Sequence, residues 1–287
     1  MKKYYLLLKY CLKEIIDIYA FWYNSKKNTN EQLFTYLRTA CHILDKGLNA
    51  IPFEKGHSKG IYERAKSLNR LLKTEYGEDP SYLWTSSILE KYEQAQKIDV
   101  IKNVELQITE YNDLQRKIFF DFMRSRVSCR NYIKCSVSEH VLKEIVELAV
   151  DAPNGCCRQT VRYYISQDSK KIKSLVGDIA GITCFSEIPC LVFVTSFNSV
   201  YSLRDRNLQY VDASLSIENF VLAARAYNIF TTICNFFHAN RKQVKHVKSI
   251  MQIPSDENII AVITMGYSNN VPMKPVRMSA NRFYKVV

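Results

Sequence analysis

The chain has 287 residues, 47% hydrophobic and 24% charged, a composition that excludes a disordered or fibrous protein and leaves room for one or two domains. Its 40 Lys and Arg against 28 Asp and Glu give a net charge of +12; this suits an anionic ligand or surface, but no nucleic-acid motif accompanies it, so nucleic acid is not expected. Nine cysteines, an odd number without Cys-x-x-Cys or Cys/His spacing, exclude a disulfide scaffold and a zinc site and point to reduced thiols in a cytoplasmic protein.

Met1 to Lys9 reads like the start of a signal peptide, yet Lys9, Lys13, Glu14 and Asp17 interrupt the apolar stretch and no small-residue cleavage site follows, so secretion is not expected. The spacing over 4–23 predicts an amphipathic helix with Leu6, Tyr10, Leu12, Ile16, Tyr19 and Trp22 or Tyr23 opposite those charges. Packing on its own domain is the favoured reading, and peripheral contact with a membrane surface is the sharper one. No run of about twenty apolar residues occurs, so no transmembrane segment is expected.

Further helices are predicted over 30–48, 58–76, 81–97 and 99–122, with breaks at Pro52, Gly56 and Gly77 to Pro80. Thr29 or Asn30, and Asp79 followed by Pro80, are the expected helix starts. Residues 1–121 thus read as an all-helical domain of unknown role. After residue 122 helices predicted over 138–150, 169–177, 206–227 and 240–251 alternate with strands over 161–166, 190–196, 231–235 and 258–265, an α+β or α/β order for a second domain over 122–287. Most of the basic excess lies there, with 21 Lys and Arg against 12 Asp and Glu after residue 122 and 19 against 16 before it.

The chemistry concentrates in four segments. Arg126, Ser128 and Arg130 stand two residues apart, so in an extended chain they project from one side and can converge on one anion such as a phosphate monoester. Asp151 to Gly155 ends a helix with turn residues that expose backbone amides, and Gln159 follows. The helix led by Asp212 carries Ala213, Ala223, Ala224 and Ala226, small enough for another helix to approach closely or simply to be buried in a core. Met265-Gly-Tyr267 closes an apolar strand, and Lys274-Pro-Val-Arg277 follows in a tail that can fold back to the anion site.

In this order and spacing the four segments resemble the FMN-dependent nitroreductase family over roughly residues 122–280. The resemblance implies a three-layer α+β fold with a central mixed, mainly antiparallel sheet flanked by helices, here preceded by the helical domain. It implies that Arg126, Val127, Ser128 and Arg130 hold the FMN phosphate and ribityl, Val127 through its backbone, with Arg277 and Lys274 reaching the phosphate from the tail. Pro153, Asn154, Gly155, Cys157 and Gln159 match the turn along the isoalloxazine ring, and Thr231 and Thr232 follow the turn that faces flavin N5. It also implies a homodimer with FMN between subunits and the Asp212 helix across its axis.

The implied activity is hydride transfer through flavin N5 to a small organic substrate, with NAD(P)H as the candidate reductant. No catalytic side chain and no metal ligand are assigned, since the cofactor carries the chemistry. The sequence departs from the family where Cys157 replaces an asparagine, where Asn228-Ile-Phe replaces Gly-Leu-Gly, where Thr160-Val161 replaces Pro-Trp and where Ser268 replaces a proline. These departures leave a second reading, a binding or scaffold protein on the same fold, membrane-peripheral through its N-terminal helices. Adjacent Cys156 and Cys157 would form only a strained disulfide and are not assigned as a redox pair. His238 is expected at a helix start or in the core, with pocket lining as its sharper reading, and Arg241 to Lys248 is expected to be a solvated helix face.

Overall fold

A computed structural model describes residues 2–24, 29–50, 52–97, 110–270 and 272–287. The N-terminal part is helical: α1 (Lys2–Asn24), α2 (Asn30–Leu48), α3 (Lys59–Tyr76) and α4 (Pro80–Ala95). Thr29 caps α2 in a reciprocal box with Gln32, and Asp79 caps α4 by accepting from the Ser81 amide at 2.7 Å, with Pro80 in the first turn. Helices α2, α3 and α4 pack around Leu37, Leu44, Ala65, Leu72, Ile88 and Tyr92. None of the described side chains of α1 joins that core. None of its described side chains is buried, and Tyr4, Leu8, Leu12, Ile15 and Tyr19 are exposed. The favoured expectation for α1, packing on its own domain, is therefore corrected; the side chains of Leu6, Lys9, Lys13 and Asp17 lie outside the described ones.

The helix predicted over 99–122 is also corrected. Residues 98–109 lie outside the described part, and the helix present, α5, runs Asp113–Ser125, its start fixed by a capping box between Asn112 and Gln115. The remaining elements follow the predicted order: α6 (Glu139–Val150), β1 (Val161–Ser166), α7 (Ser169–Leu175), β2 (Cys190–Phe197), α8 (Leu208–Ala226), β3 (Phe230–Cys234), α9 (Arg241–Met251) and β4 (Glu257–Gly266).

The four strands form one sheet ordered β1-β2-β4-β3, with every neighbouring pair antiparallel. The two central strands are buried on both faces, which explains their unbroken apolar runs. Val192, Val194, Ile263 and Met265 face α6 and α8, while Leu191, Phe193 and Val262 face α7 and α9. The result is a three-layer α+β sandwich. Ala213, Ala223 and Ala224 of α8 are buried in this layer packing, so these three serve the chain's own core, while Ala226 is exposed. His238 is exposed in the turn before α9 rather than in a core. Lys248, expected on a solvated face, is half-buried and donates to the carbonyls of Pro254 and Ser255 at 3.2 and 3.1 Å.

Candidate functional site

The segment after α5 runs along the outer edge of β3. Ser128 bridges Thr231 in parallel, the Cys129 amide donates to the Thr231 carbonyl at 3.2 Å, and the Thr232 hydroxyl donates to the Cys129 carbonyl at 2.5 Å. This strand-like path imposes the expected two-residue alternation. Val127 and Cys129 are buried with Tyr132 and Phe230, whereas Arg126 and Ser128 are half-buried and Arg130 is exposed. Tyr132 pins the end of the segment beneath β4 through the Thr264 carbonyl at 3.1 Å. Burial pushes the Cys234 thiol up to about 11, with the nearby Arg130 charge acting against that rise.

The C-terminal tail returns to the same place: Ile133 donates to the Tyr267 carbonyl at 2.9 Å and the Lys274 ammonium to the Arg124 carbonyl. Among the described residues no carboxylate lies within ion-pair distance of Arg126, Arg130, Lys274 or Arg277. Arg277 is exposed. Thr231 and Thr232 are buried, and their contacts position the arginine segment.

The turn at Pro153 to Gln159 is a different construction at a different place. Cys156, Cys157 and Gln159 all take left-handed backbone angles, φ of 55°, 55° and 51°, at a cost of about 1 kcal/mol or more each for residues with a Cβ. Side chains hold it there. Asp212 accepts from the Gly155 amide at 2.8 Å and from the Tyr201 hydroxyl at 2.7 Å, Arg158 donates to the Gly155 carbonyl at 3.0 Å, and Asn154 accepts from the Gln159 amide at 3.0 Å. The Gly155 amide, expected to be exposed, is therefore committed within the chain. From α2, Arg38 donates to the Cys157 carbonyl at 2.9 Å and His42 lies 3.5 Å from the Cys157 sulfur.

Sequence reading missed Arg38, Arg158, Tyr201 and the bonds of Asp212 as holders of this turn; only the lead position of Asp212 in its helix was a signal. A cleft of about 390 Å³ opens beside the turn, between Phe34, Arg38 and Tyr76 on one side and Ala152, Asn154 and Gln159 on the other. Much of its polar lining is already paired, Glu31 with Arg162 and Asp212 as above.

The sheet register separates the two constructions. The turn leads into β1, where Val161 faces Ser196 at the far end of β2; the arginine segment lies beyond β3, where Thr231 faces Met265, which faces Cys190 at the near end of β2. They occupy diagonal corners, four strand spacings or roughly 19 Å apart across the sheet and roughly 20 Å along it.

The glycine-free turn before β3 is accommodated simply. Asn228 takes the left-handed conformation at φ 57°, with its side chain accepting from Arg225 at 3.1 Å, and Phe230 already belongs to the strand. Among the described residues no group of three or more His, Cys, Asp or Glu side chains is arranged to hold a metal ion.

Comparison with known families places this architecture. The nitroreductase family profile matches residues 123–184 and 183–267. The chain belongs to the nitroreductase family. Its fold matches a nitroreductase-like protein from Streptococcus mutans with a TM-score of 0.53 at 15% identity, over 60% of this chain and 99% of that one. It likewise matches an FMN-dependent nitroreductase from Clostridium difficile R20291 (0.51, 17% identity, 58% and 98%) and a nitroreductase family protein from Streptococcus pneumoniae TIGR4 (0.52, 14% identity, 59% and 100%). Comparison with curated proteins found no match. The three nitroreductase-fold structures are covered almost end to end, and the rest of this chain is additional to them. No helix among the described residues is long and apolar enough to cross a membrane.

Proposed function

We propose that this member of the nitroreductase family is an FMN-dependent oxidoreductase that works as a homodimer. The observation that carries the reading is the basic cluster at the β3 corner: Arg126 and Arg130 are joined there by Lys274, which donates to the Arg124 carbonyl, with no carboxylate partner among the described residues, and Arg277 follows, exposed, in the same tail. Unpaired guanidinium and ammonium groups beside a half-buried hydroxyl suit a phosphate, which takes paired hydrogen bonds from arginine. Arg126, Ser128 and Arg130, with the Val127 backbone, would hold the FMN phosphate and ribityl, and Lys274 and Arg277 would close over it.

Because the Pro153 to Gln159 turn sits at the opposite corner, it serves the partner's cofactor in this reading. Pro153, Asn154, Gly155, Cys157 and Gln159 would lie along the ring, with Thr231 and Thr232 fixing the cradle. Exposed apolar side chains supply the dimer surface, Leu114, Ile118 and Phe119 on α5 and Val211 and Leu215 on α8. Residues 1–121 form a separate helical domain in this reading, and 122–287 the FMN-binding one. When bound, FMN supplies hydride acceptance and delivery at N5; NAD(P)H is the proposed reductant and a small organic molecule the acceptor. All nine cysteines are free, which suits the reducing cytoplasm.

Purified protein should be yellow, and the double variant Arg126→Ala/Arg277→Ala should lose its flavin. Colourless protein that ignores added FMN would sink the proposal. The commitment of the Gly155 amide to Asp212, and of Phe230 to the buried cluster beneath the cradle, favours a second reading in which the fold binds without turnover. Flavin-loaded protein that fails to oxidise NAD(P)H would support that reading.

A further inference from the structure

We propose that α1 is a peripheral anchor that lies in the headgroup region of an anionic lipid bilayer. Most of its described apolar side chains fall on one side of the helix, with Tyr10 off it. At 100° per residue Tyr4, Leu8, Leu12, Ile15 and Tyr19 fall in one arc, bounded by Ile16 on one side, which together spans about 120°. Those side chains are between 45% and 79% exposed, and the core of α2, α3 and α4 contains none of them. A soluble chain rarely leaves a continuous face of this kind bare unless something covers it.

Two features choose the cover. The first is charge: residues 2–27 carry six lysines, Lys2, Lys3, Lys9, Lys13, Lys26 and Lys27, against only Glu14 and Asp17. That complements anionic headgroups, and no charged position of α1 itself falls inside the apolar arc. The second is side-chain type. Tyr4, Tyr5 and Tyr19 put an apolar ring and a polar hydroxyl in the arc, which suits the boundary between acyl chains and headgroups better than a dry helix seam. A self-paired coiled coil would use a narrower aliphatic seam. The helix is too charged to span, so it lies in the interface plane.

The full-length protein should sediment with phosphatidylglycerol vesicles and not with phosphatidylcholine vesicles. A difference of about tenfold or more is expected, because several lysines act together near an anionic surface, and it should shrink at high salt. With Trp84→Phe the sole remaining indole is Trp22, whose emission should shift to the blue on adding anionic vesicles. Leu12→Glu/Ile15→Glu should abolish both signals. Since neither side chain is buried, the thermal transition of that variant should not move, which separates lost binding from lost folding. The proposal is overturned by absent sedimentation, by equal binding to both vesicle types, by an unmoved Trp22 spectrum, or by α1-dependent self-association that leaves vesicles unbound.

Discussion

Asp212 commits both carboxylate oxygens to one turn, to the amide of Gly155 and the hydroxyl of Tyr201, while itself only 2% exposed. Asp212→Ala would take the acceptor from the half-buried Gly155 amide and leave the Tyr201 hydroxyl with Thr160 alone, and we expect a loss of about 1–3 kcal/mol in urea unfolding; Asp212→Asn keeps one acceptor and should cost less. Buried tyrosines give a second expectation. Burial pushes Tyr132 and Tyr163 from 10.0 up to about 12. A folded value above the unfolded one means that this contribution is intact below pH 10 and lost as pH climbs towards 12. Roughly 2–3 kcal/mol per tyrosine is at stake. Tyrosinate absorbance and circular dichroism should change together across that interval, and early ionisation without unfolding would contradict it. At this scale the arginine segment was legible, because alternation in an extended chain follows from spacing alone. Arg38 was not: its bond to Cys157 joins residues 119 apart, and nothing local marks it.

Elements were the most legible scale, since caps and periodicity act within a few residues. The predicted 30–48 helix and 161–166 strand coincide with α2 and β1, because Thr29 with Gln32 in the one and β-branched and aromatic residues in the other leave little choice. Thr29→Ala should accordingly cost about 1 kcal/mol, read as a lowered melting midpoint. The α5 start was missed because the capping box at Asn112 uses asparagine and glutamine inside a stretch whose helical spacing continues through it. The glycines missing before β3 mark only a departure from the family in the sequence, whereas in the fold Asn228 tolerates the left-handed angle that the turn requires. A glycine that does matter is Gly266, where an added Cβ would stand 2.4 Å from the Pro189 ring. Gly266→Ala should destabilise by about 1–3 kcal/mol because a proline ring beside a central strand has little room to yield.

For the whole molecule, the three-layer order could be argued from alternating helices and strands, but the diagonal placement of cradle and turn could not. It depends on strand order and register, which no local pattern encodes. The same holds for the packing of α2 against the Cys157 turn, which together with the Glu31–Arg162 pair joins α2 to the nitroreductase fold. The proposed dimer makes one expectation at this scale. Ile118→Glu together with Leu215→Glu changes side chains that are 60% and 41% exposed, so the fold should survive. Light scattering should then report a monomer, and retained flavin should fall with the dimer; a monomeric variant that keeps its flavin would show that one chain suffices.

Diagonal corners carry a consequence for mixtures of damaged chains. In the proposed two-fold dimer each site would take its phosphate end from one protomer and its ring end from the other. A chain altered at Arg126 and Arg130 and a chain altered at Asn154 and Gln159 would each be inactive alone. Paired together, they bring both injuries to one site and leave its twin whole. Equal mixing with free subunit exchange should then restore about a quarter of the normal flavin load, since half of the dimers are hybrids with one sound site in two.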